Sequence, residues 1–388
     1  MTDRLRQKRQ AGRLLMDALR QPNDLPLLSI EDWDLLLRVA RRTRLLGRLE
    51  ADLARLGLLE RIPERAACHL RAARVVVAHR QTRLTWEADR VLWALRGLEV
   101  QVVALKGVAY MLAGLPAARG RMAVDVDLLV PKEQINSIEQ RLLDRGWMHK
   151  ALHPDDDRYY RDWMHEIPAL RHRERETEVD IHHRILPRTS RLQPDTRLLL
   201  QQTRAVPDMP IRVLGPHDMI LHALVHLFHE GEPDEGLRLR DLVDVADLLR
   251  HFAGEPGFWD GLVPRAEELQ LGRPLYYGLI YSRQLLGADV PDAVLQQAQG
   301  SAPSWLVRQA MDWLVPRAML PTHPDIPNPT AALARWAIYM RAHWLRMPLS
   351  LLLPHLARKF WRRLQGAFKS RPPPLSADEG SKNSPVKE

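Results

Sequence analysis

The chain carries a formal net charge of +9 over 388 residues, 45% of them hydrophobic, with a pI near 9.9. Its length predicts two or three domains, and its apolar content is ample for a real core. A single cysteine, Cys68, excludes an intramolecular disulfide and any cysteine-based zinc site, which fits a reducing cytosol. No apolar run reaches the roughly 18 to 20 residues that a membrane-spanning helix needs.

The positive charge points to anionic partners: nucleotides, nucleic acid or an anionic membrane surface. Only eight of the 57 basic residues are lysines, however, an arginine dominance characteristic of high-GC bacterial coding. No stretch interleaves basic and aromatic residues as base-stacking sites do, so charge alone does not establish a nucleic-acid surface.

The N-terminus, MTDRLRQKRQAGRLLMDAL, lacks the continuous apolar core of a secretory signal and reads as an amphipathic helix. Residues 1–98 are predicted to be helical throughout. Ser29-Ile30-Glu31-Asp32 resembles a capping box ahead of Trp33, Leu36, Leu37 and Ala40 at helical spacing. A long helical segment over 64–96, holding Val75, Val76, Arg83, Trp86 and Leu92, is expected to pack against a sheet.

Val100 to Leu105 is short, apolar and β-branched, which predicts a buried strand. It opens the stretch LKGVAYMLAGLPAARGRMAVDVDLLVP at 105–131: a strand end, a turn at Lys106 and Gly107, a short helix, an arginine-rich loop containing Arg121, and a second strand carrying Asp125 and Asp127. Side chains alternate along a strand, so Val124, Val126 and Leu128 point one way and the two aspartates the other. Carboxylates held side by side repel one another unless a cation lies between them, and the commonest such occupant is a divalent metal with oxygen ligands. Lys106 is the only lysine between Lys8 and Lys132, and its compact ammonium suits a phosphate oxygen. Arg121, four residues before Asp125, could pair bidentately with a phosphate or with a carboxylate.

A helix over 132–145, bounded by Pro131 and Gly146, precedes a strand beginning at Trp147 and a polar loop from His153 to Arg158. The segments Glu166 to His172 and Glu178 to Ile185 flank a charged turn, Arg173 to Thr177, and predict a β-hairpin. Its second strand presents Asp180, a third acid for the same site. His182 shares the face of Asp180, where it could orient a metal ligand or contact a base, while His183 points oppositely. Residues 99–187 therefore read as an α/β unit with a mixed, partly antiparallel sheet.

The Lys-Gly turn, the Arg121-x-x-x-Asp125-Val126-Asp127-Leu128-Leu129-Val130 run and Val179-Asp180-Ile181-His182 together resemble the bacterial family described as uncharacterised nucleotidyltransferases, within the DNA-polymerase-beta-like superfamily. The resemblance covers 85–185 firmly and extends loosely to 350. It implies an α/β (α+β) nucleotidyltransferase core, with Asp125, Asp127 and Asp180 as catalytic residues and ligands of Mg2+ (or Mn2+). It also places Lys106 and Gly107 at the phosphate turn, and the chemistry of Arg121 and His182 makes them further nucleotide-binding candidates beside it. Many members place Ser or Thr after the turn. Here Val108 and Ala109 follow Gly107, so a phosphate would rest on backbone N–H groups and on Lys106.

Beyond Pro187 the pattern is helical to about 350, with helices expected from Pro216 to His229 and from Leu237 to Phe252 and a proline-rich break over 320–329. His222, His226 and His229 share one helical face and could ligate zinc, but no HExxH occurs, and Leu227 and Phe228 read as a buried helix. They could instead line a nucleotide cleft with Arg238, Arg240, Asp241 and Asp244. Residues 351–369 form a basic amphipathic pattern suited either to an anionic membrane or to docking on the chain's own domain. Residues 370–388 have almost nothing apolar to bury and are expected to be disordered.

The leading reading is a cytoplasmic, magnesium-dependent nucleotidyltransferase that moves a nucleoside monophosphate from a nucleoside triphosphate to a hydroxyl acceptor, which is a small molecule, sugar, protein or RNA. Two alternatives stay open. One is a catalytically inactive nucleotide-binding or scaffold protein of the same fold, acting through protein partners or a peripheral membrane contact at 351–369. The other is a toxin-like enzyme modifying transfer RNA.

Overall fold

The computed structural model describes residues 2–150, 163–229 and 237–348. The polar loop expected at His153 to Arg158, the basic amphipathic pattern at 351–369 and the tail at 370–388 lie outside the described residues.

Four helices come first: α1 (Thr2–Arg20), α2 (Ile30–Arg42), α3 (Leu46–Arg55) and α4 (Glu64–Ala94). At the start of α2 the Ser29 hydroxyl accepts the backbone N–H of Asp32 at 3.1 Å, satisfying one of the donors a helix start leaves orphaned, and Trp33, Leu36, Leu37 and Ala40 turn inward. The 31 residues of α4 run beneath the sheet and bury Leu84, Ala88 and Val91. Val75, Val76 and Trp86 do not pack there as expected, being 64%, 45% and 52% exposed. Only one stripe of so long a helix can face the sheet, and these three lie off it.

Among the described residues seven strands follow: β1 (Val103–Ala104), β2 (Asp125–Leu129), β3 (Trp147–His149), β4 (Leu170–His172), β5 (Glu178–His182), β6 (Thr203–Ala205) and β7 (Arg212–Leu214). Their order across the sheet is β3-β4-β5-β2-β1-β7-β6. The pairs β2–β5 and β1–β7 are parallel and the rest antiparallel, so the sheet is mixed. β2 lies at the centre, with Val126, Leu128 and Leu129 fully buried. Strands β6 and β7 fall past residue 187, in the stretch expected to be helical. Each has three residues, too few to show an alternating pattern, and their state is set by pairing: β7 lies along β1, and Arg212 N donates to Val102 O at 2.9 Å.

The remaining α-helices among the described residues are α5 (Lys106–Leu112), α6 (Ile135–Asp144), α7 (Thr196–Gln201), α8 (Pro216–His229), α9 (Leu239–Phe252), α10 (Phe258–Glu268), α11 (Gly272–Leu286), α12 (Asp292–Ala298), α13 (Trp305–Met319) and α14 (Pro329–Arg346). Their buried apolar faces join the sheet and the N-terminal helices in one continuous cluster from Ala11 to Ile338. Among the described residues no helix is long and apolar enough to cross a membrane.

The loop that leads into β2 is held by two glycines. Gly120 has a φ of +62°, and a Cβ built on it would run into the backbone carbonyl of Gly47 on α3. A Cβ on Gly47 would meet Gly120 O at 2.6 Å, so helix and loop touch backbone to backbone. Gln81 Nε2 adds a hydrogen bond to Ala118 O at 2.8 Å. Gly120→Ala should combine left-handed strain with overpacking and cost about 2–4 kcal/mol in urea unfolding. Gly57→Ala, at a φ of +67° but with open space around it, should cost only about 1 kcal/mol.

Candidate active site

The parallel pairing of β2 and β5 sets the geometry. Asp127 stands opposite Asp180 and Asp125 opposite Glu178, and paired residues of parallel strands project to the same side. Asp125, Asp127 and Asp180 thus converge, each offering an oxygen within 4.8 Å of the others'. Asp127 is buried, and the other two are half-buried.

Lys106 reaches this group from the end of β1. Leu105 N donates to Asp127 O at 2.9 Å, and the chain then turns sharply, Lys106 adopting a φ of +49° where a residue other than glycine is uncommon. The turn brings Lys106 Nζ to 2.8 Å from Asp127 Oδ1. The same oxygen lies 3.0 Å from His182 Nε2, and Nδ1 of that ring is 3.3 Å from Glu166 Oε2. Burial opposes charge on His182, but the hydrogen bond to Asp127 and the field of Glu166 outweigh it and raise the ring's proton affinity. An imidazolium donating from both nitrogens accounts for this arrangement. Asp127 Oδ2 is left as the oxygen that can face a cation.

The three carboxyls are driven apart electrostatically. Burial, then the charge of Asp127, raises the proton affinity of Asp125; burial, then Asp127 and Glu166, lifts that of Asp180 well above the usual carboxylate range. Burial would raise Asp127 as well, yet Lys106 and His182 hold it well below that range. Among the described residues, the group sets four carboxyl groups against two cations, a deficit of positive charge. An all-oxygen set with that deficit fits one hard divalent cation such as Mg2+ or Mn2+.

Gly107 lies in the first turn of α5, and a Cβ there would strike the guanidinium of Arg121. Of the two partners open to Arg121, a carboxylate is the one it meets. Its Nε donates to Asp244 Oδ2 at 2.7 Å, and its guanidinium lies 5.5 Å from the ring centroid of Tyr110. At 8% exposure, Arg121 braces the Lys106–Gly107 turn from below. Asp244 belongs to α9, whose Arg240 reaches Met122 O at 3.2 Å, so the helical half is wired to the loop leading into Asp125. Among the described residues, three-ligand groups form at Asp125, Asp127 and Asp180 and at His165, Glu166 and His182. His222, His226 and His229 form none; His226 Nε2 stands 3.6 Å from Asp241 Oδ2.

Glu166 had no part in the sequence reading beyond starting a strand. It meets His182 through an isolated antiparallel bridge, and His165 stacks on His182 with centroids 5.3 Å apart. The sole local signal was a His-Glu pair before Ile167-Pro168, which carries no periodicity.

A strand–turn–helix with convergent acids on neighbouring parallel strands and a lysine at the turn is the core of a nucleotidyltransferase. The chain belongs to the family described as uncharacterised nucleotidyltransferase, whose model matches residues 29–287. Two solved structures are remotely similar. JHP933 from Helicobacter pylori has 16% identity and a TM-score of 0.31, over 71% of this chain and 97% of that one. An antigenic nucleotidyltransferase-like protein from Paracoccidioides brasiliensis has 16% identity and a TM-score of 0.29, over 56% of this chain and 96% of that one. No curated protein matches the chain.

His183, on the opposite face, is buried. Burial first, then the charges of Lys132 and Arg184, lower its proton affinity from 6.5 to about 4. Since its pKa is depressed in the folded state, its contribution to stability is complete above pH 6.5 and is lost progressively as pH falls toward 4. Melting temperatures at pH 7 and pH 5 should therefore differ less in His183→Gln than in the wild-type protein.

Proposed function

We propose that this protein is a cytoplasmic, magnesium-dependent nucleotidyltransferase that transfers a nucleoside monophosphate from a nucleoside triphosphate to a hydroxyl acceptor. The observation that carries this reading is the convergence of Asp125, Asp127 and Asp180 with Lys106 at the turn. The exposed, unpaired thiol of Cys68 accords with a reducing compartment.

In this reading Asp125, Asp127 and Asp180 hold the divalent ion, which when bound supplies charge neutralisation at the phosphate oxygens. Lys106 and the N–H groups opening α5 receive the phosphates, taking the place of the turn hydroxyl that Val108 and Ala109 cannot provide. The acceptor oxygen attacks the α-phosphorus, the bond from that phosphorus to the bridging oxygen breaks, and pyrophosphate leaves. Asp180 takes the hydroxyl proton or, as a ligand of the ion, orients the hydroxyl. His182, held between Asp127 and Glu166, fixes the carboxylate at the centre of the site.

Thermal-shift measurements with ATP, CTP, GTP and UTP, each with and without magnesium, test the proposal. One triphosphate should stabilise the protein in a magnesium-dependent way, and the shift should vanish in the Asp125→Asn/Asp127→Asn variant while its unliganded fold persists. Absence of a shift with every triphosphate would favour a non-catalytic role for the fold. Glu166→Gln should weaken Mn2+ binding, read by electron paramagnetic resonance, by about tenfold, the scale typical of a lost outer partner.

A further inference from the structure

The segment before β4 and the end of β5 bring three metal-ligating side chains together on the side of His182 that faces away from Asp127. Glu166 is bridged to His182, and the segment is held to β5 by Ile167 N donating to Ile181 O at 3.1 Å and His183 N donating to His165 O at 2.9 Å. One ligand atom each of His165, Glu166 and His182 lies within 4.8 Å of the others'. His182 Nδ1 stands 3.3 Å and His165 Nε2 3.9 Å from the same oxygen, Glu166 Oε2. Both rings are buried, and the carboxylate is half-buried.

Two ligands of a tetrahedral ion, each about 2.1 Å from it, stand about 3.4 Å apart, so the spacing of His182 and Glu166 already matches and that of His165 and Glu166 exceeds it by only about half an ångström. A metal-ligating histidine characteristically donates its other ring N–H to a carboxylate, which fixes its tautomer and orientation. His182 Nε2, 3.0 Å from Asp127 Oδ1, is placed to do so. Imidazole nitrogens suit borderline ions such as Zn2+, whereas the all-oxygen aspartate group suits Mg2+ or Mn2+. Distance separates the two sites as well. A metal–nitrogen bond of about 2.1 Å, the width of the ring and the 3.0 Å hydrogen bond put an ion on Nδ1 about 7 Å from Asp127 Oδ1. Ions that share a phosphoryl-transfer step lie about 3.5–4 Å apart, so this one is too remote to be the second ion of the aspartate site.

We propose that His165, Glu166 and His182 form a second, separate cation site for a borderline transition-metal ion of the Zn2+ class, with a fourth coordination position left for water. The ion takes the place of the proton that His182 Nδ1 otherwise directs at Glu166, and that proton is released on binding. His182 then keeps its Nε2–H on Asp127, and the segment carrying His165 and Glu166 is tied to β5 through the metal as well as through its backbone. The ion positions the central carboxylate and takes no part in phosphoryl transfer. Its binding does not depend on whether the aspartates catalyse nucleotidyl transfer.

The probe is Zn2+, titrated calorimetrically into the metal-free full chain in an excess of Mg2+. The wild-type protein and Asp125→Asn/Asp180→Asn, which disables the aspartate site but keeps the bond between Asp127 and His182, should each bind one Zn2+ with comparable affinity. His165→Gln and Glu166→Gln should each bind it about a hundredfold more weakly or worse, at or beyond the upper end of the roughly 10–100-fold typical of a lost outer partner. Co2+ in place of Zn2+ should give the wild-type protein and the aspartate variant the intense visible absorption of a four- or five-coordinate ion, and both ligand variants should lose it. Melting temperatures of the metal-free variants separate a lost ligand from a lost fold, and where a ligand variant fails to fold, the cobalt spectra of the other two proteins decide. No Zn2+ bound in excess Mg2+, or only the weak absorption of six-coordinate Co2+, would overturn the proposal. Zn2+ binding that disappears in Asp125→Asn/Asp180→Asn and persists in His165→Gln would assign the ion to the aspartates and overturn it too.

Discussion

Asp127 is a buried carboxylate that stays ionised because two cations share one of its oxygens. Lys106 and His182 approach Oδ1 from two strands, and without them burial would drive the acid toward its neutral form. That pairing fixes three things together: the strained turn after β1, the register of β5 against β2, and the rotamer of the central acid. At Asp125 and Asp180 burial and the repulsion of Asp127 outweigh the cations nearby. The group is consequently asymmetric, with the proton affinity of Asp127 held low and those of Asp125 and Asp180 raised.

A second set of ion pairs carries that arrangement into the helical half of the chain. Arg121 is clamped by Asp244 of α9 beneath Gly107, and Arg240 of the same helix holds the carbonyl of Met122. Arg48 of α3 pairs with Asp247, one turn further along α9. A buried pair of this kind adds little net stability, but removal of one partner leaves a charge that nothing compensates, typically at a cost of about 3–5 kcal/mol. The consequence is positional: α9 cannot shift without moving the loop that delivers Asp125.

Much of the core was legible in the sequence. Asp125 and Asp127 alternate with apolar residues, and Asp180 and His182 do so again; period two on a buried sheet leaves the polar residues only one face to occupy. The Ser29 cap, the bounds of α8 and the C-terminal end of α9 followed from equally local chemistry. Arg121 was ambiguous because a guanidinium pairs as readily with phosphate as with carboxylate, and its partner, Asp244, lies 123 residues away. Strands β6 and β7 escaped notice because three residues carry no period, and Val75, Val76 and Trp86 sit on an amphipathic helix whose inward stripe depends on what it packs against.

The sequence alone thus determined which residues carry the charge and which face of each strand they share, because alternation and residue chemistry act over a few positions. Membership of the nucleotidyltransferase family is likewise read from the sequence, over residues 29–287. Tertiary structure alone decided the partners: that Glu166 backs His182, that Lys106 closes on Asp127, and that Arg121 meets Asp244. Those contacts join residues tens to hundreds of positions apart, and Coulombic and hydrogen-bond energies depend on distance in space, which no local pattern encodes.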